Sequence, residues 1–189
     1  VPIVDLKRYQ ISPEAVKLFA LKILRSHKNM MIMSVGALAD EKFFSDVAKA
    51  AHAGGVKVYL PSGAIGGLDA LKSASTANVY EVVLTTTKNP RSLEGAPYIV
   101  ERGIDLAKIR EKTVLYEGDA REAIRKFPAN VNVAVALGLA GIGAGKTKVK
   151  VVADPNTDRN KHDIYVRGDF GEFKFTTENL PSPKNPRTS

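Results

Sequence analysis

The sequence contains no cysteine and no tryptophan. Without cysteine there can be no disulfide, no thiolate metal site and no mechanism built on a cysteine nucleophile. Aromatic residues are scarce at 7%, and no run of basic residues is interleaved with them. The 28 Lys and Arg against 20 Asp and Glu still leave a net charge of +8. That excess is dispersed: Lys148 and Lys150 alternate with Val149 and Val151, as on the wet face of a strand. Lys7, Lys17, Lys22, Arg25 and Lys28 are scattered among apolar positions, as on a solvated helix face. Nucleic acid is therefore not expected as a partner, and attraction of small anionic ligands accounts for the charge. A long hydrophobic run is lacking too. The longest stretch without a charged or strongly polar group, 133–145, is rich in glycine and falls short of the roughly 20 apolar residues of a membrane helix. No membrane partner and no targeting segment are expected, and the expected location is cytoplasmic.

What remains is 189 residues, 44% apolar and 25% charged, the composition of a folded chain able to bury about 70% of its unfolded surface. Ser12-Pro13-Glu14 reads as a helix start, followed by Val16, Ala20, Ile23 and Leu24 at helical spacing. Residues 30–35 and 56–60 have strand length. Between them 41–53 reads as a helix with Phe44, Val47, Ala48 and Ala51 on one face, stopped by Gly54-Gly55, and another helix opens at Leu68. Helix, strand, helix, strand implies a parallel sheet, the later half of a Rossmann-type nucleotide-binding domain. The strand–turn–helix that would open such a domain is not in this chain. The chain also begins at Val1, so a longer parent, with at least one more βαβ unit of on the order of 30 residues, is expected.

The pattern changes after Ala77. Residues 80–87 and 113–116 read as strands, 119–127 as a helix halted by Pro128, and 132–141 as a buried helix of small residues for which periodicity leaves a strand open. Residues 147–153, 162–168 and 172–177 alternate with period two, and Asp169-Phe170-Gly171 would join the last two as a hairpin. The expected fold is α/β plus α+β. Residues 1–67 form the remainder of the Rossmann-type domain, and 68–189 form a mostly antiparallel sheet with helices on one face. The proline-rich tail from Pro181 reads as a connector.

Two glycine loops compete as ligand cradles. Residues 140–147, AGIGAGKT, fit a relaxed phosphate-loop pattern, but a helix precedes them and a strand follows, the reverse of what a phosphate loop needs. Residues 62–68, SGAIGGL, follow a strand and open a helix, where open α/β sheets bind ligands and where Gly63 and its neighbours allow close backbone approach. Gly36 and Ala37 hold the equivalent place after the preceding strand. His27 and His52 lie near helix ends, whereas His162 sits in a long polar turn, 154–163, ahead of a strand, where surrounding amides and acids can tune it for proton transfer. A plain surface histidine is the competing reading. Asn130 and Asn132 read as helix caps. Asp154, Asp158 and Asp163 match no ligand loop, so no metal is expected.

The segments SVGALAD at 34–40, SGAIGGLDA at 62–70, FPANVNVA at 127–134 and VADP…NKH within 152–162 together resemble the L-aspartate dehydrogenase family, as does NPRTS at 185–189. The resemblance runs in order from about residue 12 to the end of the chain. It implies a Rossmann domain with an α+β catalytic and oligomerisation domain, and NAD(P)-dependent oxidation of L-aspartate to iminoaspartate. That product hydrolyses to oxaloacetate and ammonia or feeds NAD biosynthesis. By resemblance His162 matches the active-site histidine, and Ala64 and Asn132 match NAD-binding positions. Gly36, Ala37 and Gly63 are added as cofactor-binding candidates. A dicarboxylate substrate needs cationic or N–H partners, for which Lys88 and Asn160 are the candidates. The cofactor is NAD or NADP, the partner L-aspartate or a related small dicarboxylate, and the assembly a homodimer. The family's acidic ribose-binding residue and closing helix are absent from the sequence, so weak or no NAD binding is expected of this chain alone. Semialdehyde dehydrogenases need a thiol and are excluded. A homoserine-type dehydrogenase of the same architecture, or a non-catalytic oligomerisation or ligand-sensing module, stays open.

Overall fold

A computed structural model describes residues 13–128 and 131–182, and the chain divides into two compact units, Val1–Pro61 and Ser62–Ser189. In the first unit helix α1 (Pro13–Arg25) buries Val16, Ala20 and Leu24 along one stripe. A short strand β1 (Met30–Met31) leads into a 3-10 turn, Val35–Ala39, which buries Val35, Ala37 and Leu38. Helix α2 (Glu41–Gly54) starts at Asp40, whose side chain accepts from the Phe43 amide, and ends at Gly55 in the left-handed conformation with φ 63°. Strand β2 (Val58–Tyr59) pairs in parallel with β1.

Two expectations change here. Both strands are only two residues long, because the pairing covers no more than Met30 with Val58 and Met31 with Tyr59. The buried face of α2 is Val47 and Ala50, with Phe44 and Ala48 exposed. The α2 stripe is thus turned by about one residue from the face read in the sequence, where alanines at 48, 50 and 51 make the apolar side ambiguous.

In the second unit five strands form one sheet: β3 (Val79–Lys88), β4 (Thr113–Asp119), β5 (Lys148–Ala153), β6 (Asn160–Gly168) and β7 (Gly171–Asn179). Their order is β4-β5-β3-β6-β7, with β3 and β5 parallel and the other three pairs antiparallel. Gly168 pairs with Gly171 across the two-residue turn Asp169-Phe170. Four helices, α3 (Leu68–Ala74), α4 (Pro97–Glu101), α5 (Ala120–Lys126) and α6 (Asn132–Ala140), pack on one face. The covered face carries Val82 and Leu84 of β3, Val149 and Val151 of β5, and Ile164 and Val166 of β6. They meet Leu71, Ile99, Ala123, Phe127, Ala134 and Leu137 from above. The opposite face is ionic, with Lys148 on Glu81 at 2.7 Å and Lys150 on Glu117 at 3.2 Å.

The AGIGAGKT stretch is a helix-to-strand connection. It doubles back so closely that a Cβ at Gly138 would stand 2.8 Å from the Ala144 Cα. Its carbonyls are used inside the fold: Ala144 and Thr147 both accept from the Ala120 amide, at 3.1 and 2.9 Å. Ser12, Asn130 and the tail from residue 183 lie outside the described residues.

The division between the units falls at Pro61 rather than after Gly67. The reason is local: the Ala64 carbonyl accepts hydrogen bonds from Thr177 and Asn179 of β7, tying the loop to the sheet. Phe127 is fully buried and its ring meets those of Tyr98 and Tyr116 at 5.5 and 5.7 Å. Phe127→Ala is expected to destabilise this unit by about 3–5 kcal/mol, read as a lower urea midpoint at an unchanged m-value.

Candidate active site

The covered face of the sheet is apolar for most of its length and becomes polar at one end. Side chains along a strand alternate between faces, so Leu84, Thr86 and Lys88 of β3 share the covered face. Register extends the row: Thr86 stands opposite His162 of β6, and His162 opposite Thr177 of β7. Asn160 and Asn179 pair one step further on. Thr86 is fully buried, and Lys88, Asn160 and His162 are each no more than 3% exposed. Four buried polar side chains gathered at one end of an otherwise apolar surface are unusual enough to need a reason.

The sequence placed His162 at the end of a loop. It lies instead inside β6, because that strand starts at Asn160, and it is buried rather than exposed. Its Nδ1 is 3.0 Å from Thr86 Oγ1. Burial first, and then the positive charge of Lys88, push the imidazole down to about 4. Asp163 opposes this only in part, since it points to the other face, where it accepts from Thr176 Oγ1 at 2.7 Å and pairs with Lys161. Burial pushes the Lys88 amine down to about 8. The turn between β5 and β6 is tied to the end of β3, with the Asp154 amide donating to the Lys88 carbonyl and Asn89 Nδ2 to the Thr157 carbonyl.

The loop at residues 62–67 lies over the β7 edge at this same end. The Ala64 carbonyl accepts from Thr177 Oγ1 at 3.0 Å and Asn179 Nδ2 at 2.8 Å. Gly66 and Gly67 sit directly on the Phe175 ring, where any Cβ would meet its carbons. The structure therefore brings Ala64, Lys88, Asn160 and His162 to one end of one sheet face. Gly36 and Ala37 belong to the 3-10 turn of the first unit, and the buried Ala37 side chain leaves only its backbone to offer a ligand. Thr86, Thr177 and Asn179 went unnoticed in the sequence. Their signal was present, as polar residues at the inward positions of alternating strands.

The comparisons with known proteins agree on one family. Residues 69–189 match the family described as aspartate dehydrogenase, C-terminal, and residues 11–61 match the NAD binding domain of homoserine dehydrogenase. Over 186 residues the chain is 51% identical to the L-aspartate dehydrogenase of Methanosarcina acetivorans and 53% identical to that of Methanococcoides burtonii. The chain belongs to the aspartate dehydrogenase family. Each of those alignments takes in 98% of this chain and 69% of the relative. The crystal structure of aspartate dehydrogenase from Thermotoga maritima is similar with a TM-score of 0.75 at 40% identity, covering 88% of this chain and 65% of that one. The chain thus spans about two thirds of the length of these aspartate dehydrogenases.

The residues present fit a dinucleotide of the kind that an NAD-binding domain holds. Asn132 opens α6, yet its side chain does not cap that helix, and its Oδ1 is shielded from solvent with no hydrogen-bond partner among the described residues. A buried acceptor of this sort is suited to a donor from a bound ligand. Gly63, at φ 66°, has nothing within 4 Å of where a Cβ would stand, so the loop offers open backbone there.

Holding Lys88 in this place costs stability. The folded amine titrates near 8 and the unfolded one at 10.5. Between those values the unfolded chain binds more protons, so stability rises with pH through the window; below pH 8 both states are protonated and the burial penalty is carried in full. Lys88→Met is expected to raise the melting temperature at pH 7 by several degrees, with the gain shrinking as pH climbs from 8 towards 10.5. Thermal unfolding of both variants across pH 6–10 measures it.

Proposed function

We propose that the protein carrying this chain oxidises L-aspartate to iminoaspartate with NAD or NADP, the product hydrolysing to oxaloacetate and ammonia or passing into NAD biosynthesis. The observation that supports this most directly is the buried His162, Lys88 and Asn160 row at one end of the covered sheet face. A base beside a cation in a dry site suits an amino acid with two carboxylates. NAD(P), when bound, supplies the hydride acceptor. Gly36 and Ala37 in the first unit, and Gly63, Ala64 and Asn132 in the second, are the proposed contacts to it.

The substrate arrives with its α-nitrogen as an ammonium, which must lose a proton before the Cα–H bond can give up hydride. His162 takes that proton at the ring nitrogen not used by Thr86. The hydride electrons leave Cα, the nitrogen lone pair forms the C=N bond, and the product is the protonated imine. Water then adds to that carbon and ammonia departs. Lys88 and Asn160 hold the carboxylates. A carboxylate on Lys88 neutralises the very charge that helps depress the His162 pKa, so substrate binding raises the basicity of the histidine when it is needed. The proposed assembly is a homodimer through the open face of the sheet, where Thr87 and Val152 are already shielded and Val114 is 56% exposed. The proposed location is the cytoplasm, where NAD(P) is available; among the described residues no helix is long and apolar enough to cross a membrane.

His162→Ala is expected to lower aspartate-dependent NAD(P)H formation by about 10³-fold. Lys88→Met is expected to raise KM for L-aspartate at least about 10-fold while leaving NAD(P) affinity unchanged. In the parent protein kcat/KM for aspartate should fall above pH 8, as Lys88 loses its proton and its hold on the carboxylate. Full activity in His162→Ala would sink the reading, and a preference for homoserine over aspartate would favour the homoserine-type alternative. Sedimentation equilibrium should give twice the subunit mass, and a monomer would refute the dimer.

A further inference from the structure

Thr86 has no place in the proposed proton transfer, yet it is fully buried and its Oγ1 lies 3.0 Å from His162 Nδ1. The two residues are directly paired across β3 and β6, so the sheet register itself holds them together. A neutral imidazole carries one N–H, and the partner at Nδ1 decides which nitrogen is left as the base. If Thr86 donates to Nδ1, the other nitrogen, Nε2, carries the proton and the ring cannot accept one there. If Nδ1–H donates to Oγ1, Nε2 keeps its lone pair. Only the second arrangement serves a base.

We infer that Thr86 is a positioning residue that accepts from His162 Nδ1–H and so fixes the tautomer with an unprotonated Nε2. This rests on His162 being the base. A hydroxyl suits the role because it keeps an acceptor lone pair for Nδ1–H in both the neutral and the protonated ring. Being uncharged, it leaves His162 under the influence of burial and of Lys88. A carboxylate at the same place would instead raise the pKa of the ring. Among the described residues, the charged groups that act on the ring are Lys88 and Asp163. Lys88 stands two positions along β3 on the same face, the neighbours on β7 are Thr177 and Asn179, and Asp163 faces away with Lys161 and Thr176.

The test is made on the intact protein, to which this chain contributes three histidines, His27, His52 and His162. Long-range proton–nitrogen correlation near pH 7.5, with His162→Asn to identify the signal, reads the tautomer without reference to activity. The expected parent spectrum shows a protonated Nδ1 and a bare Nε2 on His162. Thr86→Val keeps the shape and removes the acceptor. It is expected to lose the preference for that tautomer and to lower kcat on the order of 10²-fold, with KM for aspartate and NAD(P) changed less than about 3-fold. Thr86→Ser is expected to restore both tautomer and kcat, which a merely structural role for the threonine methyl would not allow. A bare Nδ1 in the parent, or an unchanged tautomer and kcat in Thr86→Val, would overturn the inference. If His162→Ala stays active, it is instead the base reading that fails, whatever Thr86 does.

Discussion

One row of side chains sets the terms for the second unit. The sheet has a single covered face, and strand alternation forces every second residue of β3, β5, β6 and β7 onto it. Over most of that face the forced residues are Val, Leu and Ile, which supply the core. At one end they are Thr86, Lys88, Asn160 and His162, still buried but polar. The backbone does not change between the two zones; only residue type does. The same hydrogen-bonded register that aligns the core also aligns the site, so His162 and Thr86 are held by the ladder that pairs Leu84 with Ile164. A site built on strands holds its geometry more closely than one built on loops.

Electrostatics then follows from location. A lysine buried in this row cannot keep the proton affinity it has in water, and a histidine beside it is depressed twice, by burial and by the lysine. Each group alone would be a defect in a core. Together they form a site with a neutral ring beside a buried cation, which suits a dicarboxylate that must also give up a proton. In the proposed reaction the substrate's negative charge offsets that of Lys88 and lets His162 become more basic. The stability given up in the free protein is then recovered in the complex.

Much of the second unit was legible because long alternating runs are an unambiguous signal: β5, β6, β7 and the hairpin at Asp169-Phe170 lie close to where the alternation put them. The reading of His162 as a loop residue missed by a strand's first two positions, since Asn160 and Lys161 look like turn residues and only the pairing with Asn179 and Glu178 makes them strand. The order of the strands was not legible at all. Nothing local tells β5 to run parallel beside β3; the intervening helices and β4 decide it. In the first unit the alanine-rich α2 offered several equivalent stripes, and burial chose Val47 and Ala50. Of the site, the residue types were readable, but the partnership of Thr86 with His162 spans 76 positions and belongs to register alone.

The β7 edge shows how far that register reaches. Phe175 stands opposite Ile164 and Thr177 opposite His162. Two residues apart on one strand, they grip the same loop in different ways: the ring fills the space that side chains at Gly66 and Gly67 would need, and the hydroxyl bonds the Ala64 carbonyl. The loop is therefore fixed by the strand that also flanks His162. A slip of β7 by one residue would turn Phe175, Thr177 and Asn179 to the open face together. It would release Ala64 and uncover the histidine in the same step. Because the loop and the histidine both adjoin β7, the proposed cofactor contacts at Gly63 and Ala64 and the proposed base are aligned by one strand.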